Sequence, residues 1–160
     1  VKVLIWKSVN ENSSDEDNEK SEGKNGTSIA LMYGDAKLKK TNLYAAIAVD
    51  SDVAGSDTTR LVVNGKIGDL KLGAIFNDSE KSDGTSEGDG FLVNAAYQVG
   101  KAVYKVQYQD GDDKADGDAI TLGVDYKLAK AVKLTAFYTD FSYEDNSEES
   151  HLALGMEFKF

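Results

Sequence analysis

HLALGMEFKF, residues 151–160, sorts completely by alternate positions: Leu152, Leu154, Met156, Phe158 and Phe160 form one row, and Ala153, Gly155, Glu157 and Lys159 form the other. A period of two is the signature of a β-strand whose two faces meet different surroundings. The first row needs an apolar cover, and a strand that carries it through to an aromatic at residue 160 asks which solvent that cover is.

The same alternation recurs through the 160 residues, with turn-forming clusters between. Ten segments are predicted, at roughly 1–9, 27–38, 42–50, 59–68, 70–77, 90–99, 102–109, 119–128, 131–139 and 151–160. From the fourth segment onward one face is apolar, as in Phe91, Val93, Ala95, Tyr97 and Val99, or Ile120, Leu122, Val124, Tyr126 and Leu128. The opposite face carries Arg60, Asn64 and Lys66, then Asn94 and Gln98, Lys105 and Gln107, Asp125, Lys133 and Glu157. The stretches VKVLIW and LYAAIAV are apolar on both faces, so their placement rests on the rhythm of the later segments.

Connections alternate in length too. KKTN (39–42), GD (68–69), GK (100–101) and AKA (129–131) are short, whereas about 10–26, 51–58, 78–89, 110–118 and 140–150 are long. With their flanks, the long connections hold 24 of the 28 Asp and Glu residues, while the short-turn ends carry lysines such as Lys39, Lys71, Lys101 and Lys130. One end of the object is acidic and long-looped, the other basic and tightly turned.

These features meet the requirements of an up-and-down transmembrane β-barrel. Such a barrel needs about 9 to 11 residues per strand, an apolar outside with aromatic girdles, a polar inside, and short turns at one mouth with long loops at the other. Tyr97, Tyr126, Phe158 and Phe160 lie near the short turns, and Phe76, Phe91, Tyr108 and Tyr138 near the long loops, which gives two belts. No run reaches the roughly 20 apolar residues of a helical span. A soluble ligand barrel with its apolar face inward is the competing architecture. The Phe-ended strand and the segregation of long acidic loops from short turns favour the membrane barrel. The 160 residues are expected to form one domain. Closed on themselves, ten strands tilted near 40° give a backbone diameter of about 20 Å, much of it filled by side chains.

A net charge of −10 disfavours nucleic acid as a partner. The chain has no Cys and a single His, and it shows neither a phosphate-binding glycine loop nor an HExxH motif, so organic cofactors and zinc are unsupported. DGDDKADGD (110–118) fails as an EF-hand: counting from Asp112 the third position is Lys114, and no Glu closes the loop. The sequons at Asn12, Asn25 and Asn77 are what Asn- and Ser-rich loops produce by composition. Without a charged start, apolar stretch and cleavage site, an exported chain would be in its mature form.

The strand-turn units GKIGDLKLGAIFNDSEKSDG, GDGFLVNAAYQVGKAVYKVQYQDGDD and AITLGVDYKLAKAVKLTAFYTDFS resemble those of the general porins of Gram-negative outer membranes, over roughly residues 27 to 160. LALGMEFKF is similar to the porin C-terminal strand, and the resemblance implies that Met156, Phe158 and Phe160 are read by the outer-membrane assembly machinery. It further implies passive diffusion of small hydrophilic solutes and ions and contact with the lipid bilayer and lipopolysaccharide. Arg60, Asn64, Lys66, Asn94, Gln98, Lys105, Gln107, Asp125, Lys133 and Glu157 would then line the pore, the acidic mouth giving a cation preference. Porin relatives trimerise through the outer wall, though no residue here marks that contact. The family usually has 16 strands and about twice this length, with a long inward-folded loop that no insertion here matches. The chain thus reads as the C-terminal portion of a porin or a shortened relative. The alternative is a small plugged barrel whose loops do the work. His151, beside Glu148 and Glu149 at a long-loop rim, raises an enzyme reading, but a hydrolase needs a further carboxylate pair and a shaped cleft, so no enzyme is expected.

Overall fold

In the computed structural model, residues 1–7, 26–53, 55–111 and 117–160 are described. They form ten strands: β1 Lys2–Lys7, β2 Thr27–Gly34, β3 Leu43–Val53, β4 Ser56–Ile67, β5 Leu70–Lys81, β6 Ser86–Val99, β7 Ala102–Gly111, β8 Gly117–Ala129, β9 Val132–Tyr143 and β10 Glu148–Phe158. Each strand pairs antiparallel with its neighbour in the chain, so the sheet order is the sequence order. The all-β, up-and-down architecture expected from the alternation is the observed one.

The registers decide which residues share a face. Leu152, Tyr138, Leu122, Val106, Ala95 and Leu72 follow one another from β10 back to β5 through successive cross-strand partners, and Val93, Ala74, Val63, Ala45 and Tyr33 form the adjoining row from β6 back to β2. Every member of the two rows belongs to the apolar set, and the large members are exposed. Among the described residues only Leu38 and Ala119 are buried hydrophobics. A water-soluble domain hides its large aliphatics, whereas here Leu152, Leu154 and Met156 are 72%, 79% and 71% exposed. The cover is therefore lipid, and the outer face is the apolar one.

Aromatic rings mark two levels of that face. Phe76 pairs with Phe91, whose ring lies 5.8 Å from Tyr108, and six residues further along β6 Tyr97 pairs with Tyr104. At about 3.4 Å per residue the levels stand about 20 Å apart along the strand, within the span of an outer-membrane apolar band.

Several strands run further than the alternation predicts on the long-loop side. β5 continues to Lys81, β6 begins at Ser86, β9 continues to Tyr143 and β10 begins at Glu148. Apolar alternation records only the segment in contact with lipid, while the hydrogen-bond ladder continues into polar hairpins. β2 instead stops at Gly34, short of the predicted 38, because a structured turn begins there. Gly34 has φ +84°, and a Cβ on it would stand 2.1 Å from the Leu43 carbonyl oxygen. The Asp35 carboxylate then accepts backbone N–H groups from Lys37, Lys39 and Lys40 at 3.0, 3.1 and 3.1 Å.

Among the described residues no ladder joins β1 to β10, so the ten strands form an open sheet with two edges. Unpaired backbone groups along an edge are not viable in hydrocarbon, so both edges require partners in a bilayer. The acidic stretch 10–26, the sequons at Asn12 and Asn25, and Asp112 and Lys114 fall wholly or largely outside the described residues.

Candidate functional site

The face opposite the lipid-facing rows carries the polar residues singled out in the sequence. Over β5, Asn64 and Asn94 reach in from the two neighbouring strands, their amide oxygens 2.7 and 2.8 Å from where a Gly73 Cβ would stand. The missing side chain leaves room for both amides, and their convergence fits inward curvature of this face. Two hollows of about 320 and 420 Å³ open on it, one at the short-turn end and one at mid-height.

At the short-turn end the charges form a continuous chain across four strands. Lys105 Nζ lies 2.7 Å from Asp125 Oδ2, and Lys133 Nζ lies 3.9 Å from the same oxygen and 2.9 Å from Glu157 Oε2. Lys159 Nζ closes the series 3.3 Å from Glu157 Oε1. Thr135 donates its hydroxyl to the other Asp125 oxygen at 2.9 Å. Asp125 is the hub: it sits in mid-strand on β8, where β7 and β9 each deliver a lysine to the same face. Solvated pairs of this kind each add little to stability. Their greater effect is positional, since long side chains on a solvated wall are held in place. Three lysines against two carboxylates leave the chain net positive. Lys101, Lys127 and Lys130 line the same hollow and add to it.

Directly above lies a belt without formal charge until its end. Asn64, Gly73, Asn94, Gln107, Thr121, Thr139 and His151 are successive cross-strand partners from β4 to β10. The hydroxyls of Thr121 and Thr139 are 2.9 Å apart, and Gln107 donates to Gln109 at 3.3 Å. Above the belt acidity returns, with a hollow lined by Asp50, Asp57, Asp78 and Glu80 at the long-loop rim.

Of the predicted site residues, Lys105, Asp125, Lys133 and Glu157 are brought into one network, and Asn64, Asn94 and Gln107 into the belt. Arg60 stands apart, donating Nε to Asn77 at 3.0 Å, and Lys66 faces Lys71 across the β4–β5 ladder. Gln98 borders the lower hollow and donates to the Gly100 carbonyl at 3.4 Å. Met156 and Phe158 lie on the outer face, with the Phe158 and Phe160 rings 6.3 Å apart. His151 faces inward with Glu149, 3.2 Å away, and meets the Phe141 ring edge-on at 5.8 Å. Glu148 falls on the opposite face by alternation, so the two rim carboxylates do not converge on the histidine.

Two inner-face features escaped the sequence reading. Phe137 and Phe141 share the inner side of β9 with Lys133 and Thr135, a placement that period-two counting from Lys133 gives directly. The inner face of β1 to β3 is apolar, with Leu4, Trp6, Ala30, Met32 and Ala46, which is why those segments showed no alternation.

A lipid-facing sheet backed by a charged and hydrogen-bonding wall defines the class as outer-membrane β-barrel protein. Residues 7–146 match the model of the Gram-negative porin family, and the chain belongs to that family. Among solved structures it is similar to a loop-deletion mutant of OmpT, an outer membrane protein of Vibrio cholerae, with 19% identity over 84% of this chain and 52% of that one and a TM-score of 0.63. In-vitro folded OmpT gives 20% identity, 84% and 49% coverage and a TM-score of 0.63. A triple mutant of Rhodopseudomonas blastica porin gives 22% identity, 85% and 44% coverage and a TM-score of 0.59. The chain thus spans about half the length of the structures it matches. No curated protein sequence matches.

Proposed function

We propose that the chain, located in the outer membrane as its family membership indicates, forms the wall of a water-filled channel for passive diffusion of small hydrophilic solutes and ions. The observation that carries this reading is the two-faced wall itself: an apolar outer face that runs from β2 to β10 in two overlapping rows, backed by a polar and charged row over β4 to β10. Family membership points the same way, to a channel class rather than an enzyme. Arg60, Asn64, Lys66, Asn94, Gln98, Lys105, Gln107, Asp125, Lys133 and Glu157 line the aqueous side in this reading. The ten strands act as one unit, whose β1 and β10 edges are paired in the assembled barrel.

The ion preference is for cations and originates at the long-loop rim, since the inner ion-pair chain is itself net positive. An acidic mouth raises the local cation concentration by an effect that fades as salt shortens the Debye length. Met156, Phe158 and Phe160 serve as the recognition strand for the assembly machinery. The outer wall meets lipid and lipopolysaccharide, and trimerises as in other porins. A second reading, a filled barrel whose loops do the work, is favoured by the mutual pairing of Lys105, Asp125, Lys133 and Glu157.

Planar-bilayer recording of folded protein in a KCl gradient tests both. Stepwise conductance with a cation-sided reversal potential is expected; folded protein without conductance would leave the filled barrel.

A further inference from the structure

Of the inner-wall features, the aromatic side of β9 is the one that the diffusion reading leaves unexplained. Phe137, Phe141 and Tyr143 share one side of that strand. The Phe141 and Tyr143 ring centroids lie 6.2 Å apart with planes 8° from parallel, and the His151 ring stands edge-on to Phe141 at 5.8 Å. Phe137 and Phe141 are four residues apart, about 13 Å along the strand. On the inner face of β7 to β10, where charges and amides otherwise predominate, exposed ring faces are costly unless something covers them.

The neighbours keep Phe137 open. Its partners are Gly123 on β8 and Ala153 on β10, so no side chain larger than a methyl stands beside it in its row, and Phe137 remains 42% exposed. Phe141 lies over the buried Ala119, its partner on β8. Between the two rings passes the uncharged stretch of the belt, with the Thr121 and Thr139 hydroxyls and the Gln107 amide. Lys105 shares the Phe137 row one strand beyond Gly123, its ammonium drawn to Asp125, and Glu149 is the β10 partner of Phe141, so between these flanking charges the inner face of β8 and β9 from Phe137 to Phe141 bears no formal charge.

We infer that this strip is a binding track for a neutral oligosaccharide, which deepens the proposed function and rests on it for transport. A sugar ring offers an apolar C–H face to an aromatic ring and hydroxyls at its edge. The strip offers flat apolar faces at two levels with hydroxyl and amide partners between them. An ion finds only Lys105 and Glu149 at the margins, already engaged with Asp125 and His151, and a purely apolar solute would leave the threonine and glutamine groups unmatched. The spacing of the two ring levels suits a short chain of sugars rather than one ring.

The test uses the folded chain in detergent micelles, titrated with maltopentaose and followed by saturation-transfer NMR from the aromatic protons. Binding is expected, with none for a polyethylene glycol of similar size. Phe137→Leu, which keeps the apolar cover over Gly123 but removes the ring face, should weaken binding on the order of ten-fold without changing the unfolding midpoint. Absence of transfer to maltopentaose, equal transfer to the glycol, or an unchanged Phe137→Leu affinity overturns the track. Phe141→Leu gives a second reading of the same loss should the first variant misfold. Because binding is read without conductance, a chain that conducts but does not bind refutes the track alone. A chain that binds but does not conduct refutes the channel alone.

Discussion

Asp125 and Lys105 meet at 2.7 Å across the β7–β8 ladder, and the same carboxylate oxygen lies 3.9 Å from Lys133 on the other side. One carboxylate therefore fixes two lysines on the inner wall. In Asp125→Asn both lysines keep their charge and lose its counterpart. The variant is expected to lose about 1–2 kcal/mol of stability, measured by urea unfolding in micelles. Its reversal potential in a KCl gradient should shift toward anions. An unchanged reversal potential would place selectivity wholly at the rim.

Leu122 and Thr121 are adjacent on β8 and belong to opposite faces. Lysine at 122 would stand in the apolar band and should cost about 2–4 kcal/mol near its middle. Lysine at 121 enters the polar belt and should leave folding nearly intact. Heat-modifiable gel migration and unfolding of the two variants compare the faces directly; equal costs would contradict the assignment of lipid to the outer row.

Gly34 and Gly73 lack a side chain for different reasons. Alanine at 34 combines a φ of +84° with a backbone oxygen 2.1 Å from the new Cβ, so a loss of at least about 2 kcal/mol is expected. Alanine at 73 meets only the ends of the Asn64 and Asn94 amides, which swing aside, and the loss should stay below about 1 kcal/mol. Paired unfolding curves check the contrast.

The β2–β3 turn should depend on pH. The Lys37 backbone N–H, helped by those of Lys39 and Lys40 and by the Lys40 charge, holds the Asp35 carboxyl below the ordinary aspartate range. The folded value is thus depressed below the unfolded one. The contribution is complete above the unfolded value and disappears as pH falls through the depressed folded one. Amide exchange at Lys37, Lys39 and Lys40 should accelerate across that acidic window and stay flat at neutral pH. Asp35→Asn, which keeps one acceptor oxygen and loses the other together with the charge, should exchange faster already at neutral pH.

The strands were legible because a lipid-facing wall imposes period two more strictly than a soluble core does. From β4 to β10 every large outer residue could be read from parity, and so could the inner positions of Lys105, Asp125 and Lys133. Parity does not report how neighbouring strands are offset, so the ion-pair chain and the belt emerged only with the registers. Nor does it see past the lipid: the polar ends of β5, β6 and β9 carry no apolar alternation, although their ladders continue. On β1 to β3 both faces are apolar, and alternation has nothing to distinguish. Phe137 and Phe141 were readable as inner residues, but an aromatic in a barrel strand is assigned to a girdle unless its parity is checked.

The ladders that continue beyond the apolar band have a mechanical consequence. From Asn77 to Lys81 and from Ser86 to Gly90 the β5–β6 hairpin continues five residues past the Phe76–Phe91 level, which carries its tip about 17 Å further along the strand. A solute approaching the proposed channel therefore meets stiff, hydrogen-bonded hairpin ends with carboxylates at set heights. The field it feels is a fixed property of the backbone rather than an average over wandering loops.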